Sequence, residues 1–547
     1  MRDSRVMSGR SFLFLSGSLL VAAVLTWVAP PVESIEPPAS RHPSGRVEDG
    51  RRLSISTPEA QGMDSEVLGD MLEALLAERE YYRLHQFTVV RNGEIVLDAA
   101  FYPFGRGLPH NIASIGKMIT AALIGIAIDQ GFIASVDELV LGFFPDREIA
   151  NRGPRKEAIT IAHLLAHRSG IDYEGDQYGE MMASPDWLQW ILDLPMATDP
   201  GGDYSYSNAN YHLAAWVLTR ATGMTPLDFA RRYLFGPLRI PDPIWEIDPQ
   251  GIQWGFGGQF YLPSDLAKIG VMYLDDGVWR GRQVVSPEWV TRATTGYPGP
   301  PPPGWSPDWS MGFGWAVNSV LNICDTAGSG GQTMRVLVDD DLVVVSVAGG
   351  GPAYGACGLN GAVIDNLAYD YLRSAVVSSS PLAPNPQGVA RLAALVATAS
   401  QPFDGPPQPV PPLPAIASSI SGVVYEIEAN PAQVECFSLS FPPGDEALVE
   451  YRTTDYVSVW VGLDDVLRIT PGLYGLPYAA KGQWLDDTRF AMILDQVAEW
   501  RLVELEFEFA GDDITITLQD IACGEAPVTL TGHARQHRKA TVSAIVE

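Results

Sequence analysis

Ser114 and Lys117 stand three residues apart in the stretch His110-Asn111-Ile112-Ala113-Ser114-Ile115-Gly116-Lys117, and residues 118–130 that follow are apolar on nearly every side until Gly131. A run of that length without alternation reads as a buried helix, with Gly131 as its left-handed stop. Residues three apart on a helix share a face, so Lys117 can bring its nitrogen to the Ser114 hydroxyl. Burial lowers the pKa of a lysine toward the range useful to a general base, which makes the pair a nucleophile with its base beside it. The Ser114 N–H is one of the unpaired donors of a helix start. There it can stabilise the anion that forms when a hydroxyl attacks a carbonyl. A chance Ser-x-x-Lys on a solvated helix is the bland alternative, and so apolar a helix argues against it.

Two further segments carry polar groups suited to the same chemistry. Residues 200–208 form a turn-rich loop ending in Tyr206-Ser207-Asn208, before a helical run over 211–222 that stops at Gly223. Such loops commonly just cap a helix. Beside a Ser-x-x-Lys pair, the Tyr206 phenol can pass a proton between nucleophile and leaving group if a nearby cation lowers its pKa. The Asn208 amide can hold Lys117 or the substrate carbonyl. Thr326-Ala327-Gly328-Ser329-Gly330-Gly331-Gln332 leads into a strand over 334–338, and glycines there mark a close approach by a ligand or another backbone. His163 and His167, four apart, have the spacing of zinc proteases. Leu164, however, follows His163 where such sites need glutamate, and no third ligand is evident. The expectation is that these imidazoles hold the following loop, with no metal and no cofactor.

The elements that must position these groups read as a mixed architecture. Asp64 can cap a helix whose apolar positions Val67, Leu68, Met71, Leu72, Leu75 and Leu76 recur with helical period. Asn92-Gly93 between two β-prone runs is a hairpin signal. Helix, hairpin and buried helix in succession imply an α+β fold with helices packed on an antiparallel sheet. Residues 378–418 are rich in Pro, Ser and Ala, with one helix-like insert near 389–397, and read as a linker. From 419 onward, short strands separated by regular turns predict a small all-β barrel or sandwich. It carries no recognisable constellation and reads as an accessory domain, either a ligand-binding barrel or a lid over the cleft, with plain structural support favoured. The division is then 1–30 signal or anchor, 31–54 tether, 55–377 catalytic domain, 378–418 linker and 419–547 β domain.

Thirty-six basic against 65 acidic residues leave a net charge of −29. That field repels phosphate backbones and anionic lipids and argues against nucleic-acid binding. Residues 1–10 carry three arginines, and 11–29 are uncharged and mostly apolar, an export signal or an N-terminal membrane anchor, so the body of the protein is expected outside the cytoplasm. In an exported chain four cysteines invite pairing, Cys324 with Cys357 and Cys436 with Cys523.

Ser114-Ile115-Gly116-Lys117, Tyr206-Ser207-Asn208 and Thr326-Ala327-Gly328 resemble, in order and separation, the three motifs of the serine β-lactamase and penicillin-binding-protein superfamily. The match looks like its class C branch, with its class C β-lactamases, DD-carboxypeptidases, family VIII esterases and 6-aminohexanoate-dimer hydrolases. Residues 163–170 resemble that branch's His-Leu-Leu-Thr-His-Thr-Ser-Gly, and Gly257-Gly258 with Asp265-Leu266-Ala267 resembles another of its stretches. The resemblance covers roughly 56–376. It implies a β-lactamase/transpeptidase-like fold in which Ser114 is acylated, Lys117 is its base partner and Tyr206 shuttles the proton. Asn208, Thr326 and Gly328 would contact substrate, and the N–H groups of Ser114 and Ser329 would form the oxyanion hole. The third motif departs from the usual Lys-Thr-Gly or His-x-Gly, because Thr326 carries no charge to pair with a substrate carboxylate. The activity implied is hydrolysis of a small ester, amide or peptide. β-Lactamase or DD-carboxypeptidase action is the alternative, and a penicillin-sensing module is the reading from another class. A Ser-His-Asp hydrolase of the α/β type would need Gly-x-Ser-x-Gly, which does not occur.

Overall fold

The computed structural model describes residues 52–173, 177–351, 363–402, 405–522, 524 and 526–535. The arginine-flanked N-terminal segment, Cys357 and Cys523 lie outside them. Among the described residues no helix is long and apolar enough to cross a membrane.

The chain forms an α+β domain followed by a β-barrel. The first domain is built on a seven-stranded antiparallel sheet. Its strands run, edge to edge, Glu94–Ala100, Leu84–Arg91, Leu342–Ala348, Gln332–Leu337, Ile323–Gly328, Ala316–Asn318 and Trp309–Met311. Asn92-Gly93 joins the first pair, with both residues at positive φ as such a turn requires. Strand Leu342–Ala348 is buried throughout because both faces are covered, and its one polar side chain, Ser346, bonds to Thr333 at 2.7 Å. Val343 and Val345 join one core while Leu342 and Val344 join the other, as the period of two dictates. The first core holds the helices Gly116–Asp129, Asn208–Thr222 and Pro263–Leu274. The second holds Ser65–Ala77, capped by Asp64 through the Glu66 N–H, together with Val363–Ala375 and Pro386–Ala399.

Helix Pro386–Ala399 lies inside the stretch read as a linker. It buries Leu392 and Ala399 in the second core, and Arg391 pairs with Glu66, Asp70 and Glu73 on helix Ser65–Ala77. That part of the proline-rich segment therefore belongs to the outer helical layer.

The C-terminal domain resolves the choice between barrel and sandwich. Nine strands follow one another in antiparallel pairs, and a parallel contact of Gly462 with Lys481 closes the ring. Val503, Leu505, Phe507 and Phe509 point inward from one strand while Glu504 and Glu508 point out. Apolar side chains fill the interior, leaving a void of about 10 Å³, at the lower limit for one water molecule.

The partners expected for Cys324 and Cys436, Cys357 and Cys523, lie outside the described residues. Cys324 and Cys436 are buried thiols without a bridge among the described residues. Cys324 faces the first core from its strand, where burial pushes the thiol up to about 12, and Cys436 packs beside Val424 and Tyr456 with its pKa also raised by burial. An even count of cysteines constrains composition, not the approach of sulfurs.

Candidate active site

The helix that carries Ser114 starts in a single tight turn, Ala113–Ile115, and continues as Gly116–Asp129 with Met118, Ile119, Leu123 and Ile124 fully buried. Ala113, directly before the nucleophile, has φ 47°, a left-handed conformation that costs an alanine ~1–2 kcal/mol. Its N–H donates to Asn111 Oδ1 at 2.9 Å, which holds the turn in place. Loop residues 255–258 lie along the same turn. Thr120 Oγ1 donates to the Gly255 carbonyl at 2.7 Å, and a Cβ on Gly257 would stand 3.1 Å from the Ala113 carbonyl oxygen.

Lys117 is 3% exposed, with Nζ 2.9 Å from Ser114 Oγ and 3.1 Å from the Phe256 carbonyl oxygen. Burial lowers its pKa well below the ordinary lysine value. A neutral amine can donate one N–H to Phe256 and turn its lone pair to the serine proton.

Tyr206 Oη lies 2.7 Å from Ser114 Oγ, on the side opposite the carbonyl of Phe256 in the hydrogen-bond chain. Its ring stacks on His167, with centroids 4.7 Å apart, and stands 4.7 Å from Lys117 Nζ. Tyr206 is 47% exposed to the cleft, yet the surrounding walls crowd the phenol and push it up to about 12. The nearby cation is Lys117, whose own pKa burial lowers, and the net shift of the Tyr206 phenol is upward. His167 is fully buried, and its Nδ1 accepts the Ser207 N–H at 3.0 Å, which leaves the proton on Nε2. Burial and the nearby Lys117 keep this imidazole neutral. Ser207 in turn caps helix Asn208–Thr222 through the Asn210 N–H. His163 closes a capping box with Thr160. Both histidines thus brace local backbone, and His167 braces the Tyr206 loop itself.

Asn208 opens its helix beside the Tyr173 phenol. The hydrogen-bond partners of Lys117 are Ser114 and Phe256, not Asn208. Strand Ile323–Gly328 brings the third motif against the nucleophile turn. A Cβ on Gly328 would come within 2.8 Å of the Ser114 nitrogen and 2.7 Å of the Ile112 oxygen, so only glycine fits. Ser329 follows in the turn, its carbonyl accepting from Gln332 Nε2 at 3.2 Å. Thr326 is buried opposite Met334. Arg335, the one cation nearby in sequence, does not reach the cleft. It projects from the other face of the sheet, 2.6 Å from Asp325 and over the Tyr369 ring.

The Beta-lactamase family model matches residues 83–355, a span that contains all three motifs. The chain belongs to the serine β-lactamase and penicillin-binding-protein superfamily. The 6-aminohexanoate-dimer hydrolase of Paenarthrobacter ureafaciens is 26% identical over 45% of this chain and 66% of its own length. The monacolin J acid methylbutanoyltransferase of Aspergillus terreus is 28% identical over 25% of this chain and 38% of its own. The chain therefore spans less than two thirds of these relatives. An octameric penicillin-binding protein homologue from Pyrococcus abyssi, 16% identical with a TM-score of 0.46, aligns with 85% of this chain and 99% of that one.

Within this superfamily framework, the structure brings Ser114, Lys117 and Tyr206 into direct contact and sets Gly328 against the nucleophile turn. Several contributors escaped the sequence reading. The Phe256 carbonyl that receives Lys117 is a backbone atom with no side-chain signature. Asn111 lies three residues before Ser114, and its role emerges only once Ala113 is seen in the left-handed region.

Proposed function

We propose that the protein is an exported serine hydrolase that forms an acyl-enzyme on Ser114, acting on small neutral esters or amides. The observation that carries this reading is the Ser114 hydroxyl held between Lys117 Nζ at 2.9 Å and Tyr206 Oη at 2.7 Å. The neutral Lys117 amine takes the serine proton as Oγ attacks the carbonyl carbon, and the oxyanion is received by the N–H groups of Ser114 and Ser329. When the tetrahedral species collapses, Tyr206 gives its proton to the departing oxygen or nitrogen and recovers one from the Lys117 ammonium. Water then attacks the ester by the same steps in reverse, regenerating Ser114. Relatives named for a hydrolase and an acyltransferase support acyl chemistry at such a site.

Thr326 in the third motif, the diversion of Arg335 to Asp325 and the net charge of −29 together favour neutral substrates over anionic β-lactams or peptide carboxylates. The apolar segment after three N-terminal arginines supports export. A fluorophosphonate probe should label the protein at Ser114 and fail on Ser114→Ala, and kcat/KM should be higher for a short p-nitrophenyl ester than for nitrocefin. Labelling that survives in Ser114→Ala would overturn the nucleophile. Faster nitrocefin turnover would overturn the substrate class.

A further inference from the structure

The barrel does not merely trail the catalytic domain. The turn at 497–500, between strands Arg489–Gln496 and Arg501–Ala510, reaches both segments that would supply the oxyanion hole. On one side the Asn111 N–H donates to the Ala498 carbonyl at 2.9 Å, and Asn111 Nδ2 donates to Glu499 at 3.0 Å. The same asparagine accepts the Ala113 N–H, so the chain of contacts runs from the barrel through Asn111 to the strained residue that precedes Ser114. On the other side Trp500 packs over the turn that follows Ser329. A Cβ on Gly330 would stand 2.3 Å from Trp500 Cβ, and one on Gly350 would stand 2.8 Å from its carbonyl oxygen. The turn is anchored behind these contacts by Arg83 with Asp495 at 2.9 Å and by Tyr102 Oη donating to the Leu467 carbonyl at 3.0 Å. An apolar patch of Ala100, Phe104, Ala479 and Val497 packs at the same junction.

We propose that the barrel's 497–500 turn sets the spacing of the oxyanion hole, with Glu499 acting through Asn111 on the Ser114 N–H and Trp500 acting on the Ser329 turn. Glu499 and Trp500 are positioning residues in this scheme, since neither touches Ser114. The proposal rests on the assignment of Ser114 as nucleophile. An oxyanion donor displaced by a fraction of an ångström loses much of its effect on the transition state while ground-state binding barely changes, so kcat should suffer more than KM.

The acid is adapted to this place. Burial and the neighbouring Glu246 carboxylate push Glu499 up to about 8, against the opposing pull of Asn111 and Arg501. At neutral pH it is therefore mostly protonated, and one oxygen still accepts from Asn111. A glutamine preserves both its neutrality and its acceptor.

The test uses the full chain with a p-nitrophenyl ester and a fluorophosphonate. Glu499→Ala should lower kcat and the rate of fluorophosphonate inactivation by about 10- to 100-fold, with KM within about threefold. Glu499→Gln should restore most of that loss, and Trp500→Ala should reproduce it from the other arm. Asn111→Ala combined with Glu499→Ala should be no worse than Asn111→Ala alone, as residues acting in series require. Should Glu499→Ala fail to fold, the Trp500→Ala kinetics and the Glu499→Gln pH profile carry the test. In the latter, the inflection near pH 8 contributed by Glu499, with Glu246 and Arg501 beside it, should vanish. A kcat within twofold of the parent in Glu499→Ala and Trp500→Ala, while Ser114→Ala is inert, overturns the proposal and leaves the nucleophile standing. Activity retained in Ser114→Ala removes both.

Discussion

Gly328→Ala places a methyl group where the structure has none to spare. The new carbon would lie 2.7 Å from the Ile112 oxygen, 2.7 Å from Ala113 Cβ and 2.8 Å from the Ser114 nitrogen. Ordinary contact begins near ~3.5 Å, so the strand and the nucleophile turn must part by roughly 0.7 Å. Two of those three neighbours are backbone atoms, which cannot rotate away. The Ala113 methyl is fixed to a residue already in the left-handed region. Overpacking of this kind costs ~1–3 kcal/mol of stability. Its larger consequence is functional, because the gap opens beside the Ser114 nitrogen, one of the two donors of the proposed oxyanion hole. A misplacement of about 1 Å costs ~10²-fold and loss of one donor ~10²–10³-fold, so kcat/KM for a p-nitrophenyl ester should fall by about 10²-fold. Gly142→Ala is the matched control, since a Cβ there meets nothing within 4 Å and should leave the rate unchanged. Steady-state kinetics on the two variants, with thermal unfolding alongside, decide the matter. Parent-like turnover in Gly328→Ala would refute the idea that the third strand forms one wall of the hole.

Tyr206→Phe should lower kcat by ~10²–10⁴-fold with little change in thermal unfolding, because only the proton-transferring hydroxyl is deleted while the ring keeps its stack on His167. Burial depresses the Lys117 pKa, so kcat/KM should rise with pH through an ionisation well below the usual lysine value. The same depression means that the unfolded chain binds the extra proton between the two lysine pKa values. Native stability should therefore grow with pH across that window, and Lys117→Met should flatten the slope in a pH series of denaturant melts. Thr326→Lys should raise nitrocefin turnover relative to the ester by supplying a charge-assisted bond of ~1.5–3 kcal/mol to a carboxylate, and an unchanged ratio would mean that position 326 does not face the substrate.

What could be read from the sequence follows the reach of local periodicity. The three-residue step from Ser114 to Lys117 is fixed by helix geometry once residues 118–130 are seen to be buried, and the structure places the two groups 2.9 Å apart. Asp64 as a helix cap and Asn92-Gly93 as a hairpin are equally local, each decided by a few neighbouring residues. The barrel was legible as short alternating strands, but its closure depends on a pairing between Gly462 and Lys481 that no local pattern announces. Arg335 shows how the parity of a strand matters. Its cross-strand partner is Asp325, and the two side chains share the face of the pleat opposite to that of Thr326 and Met334. Helix Pro386–Ala399 was legible as a helix-like insert near 389–397, but its place in the domain was not, because that comes from packing on helix Ser65–Ala77 rather than from its own flanks.

The electrostatics of the cleft join these parts into one argument. Burial lowers the pKa of Lys117 and of His167 and raises that of Tyr206, each shift favouring the uncharged form. In the proposed mechanism Ser114 attacks with Lys117 neutral. As Oγ bonds to the carbonyl, a positive charge would then appear on Lys117 and a negative one on the oxyanion, a few ångströms apart in a crowded site where such a pair interacts more strongly than in water. Charge separation is thus compensated where it arises, without the reorganisation that a pre-existing ion would impose. A substrate carboxylate entering this cleft would meet Thr326 in place of a cation and would pay for its own desolvation. A neutral ester or amide avoids that cost, which is the physical reason behind the proposed preference for uncharged substrates.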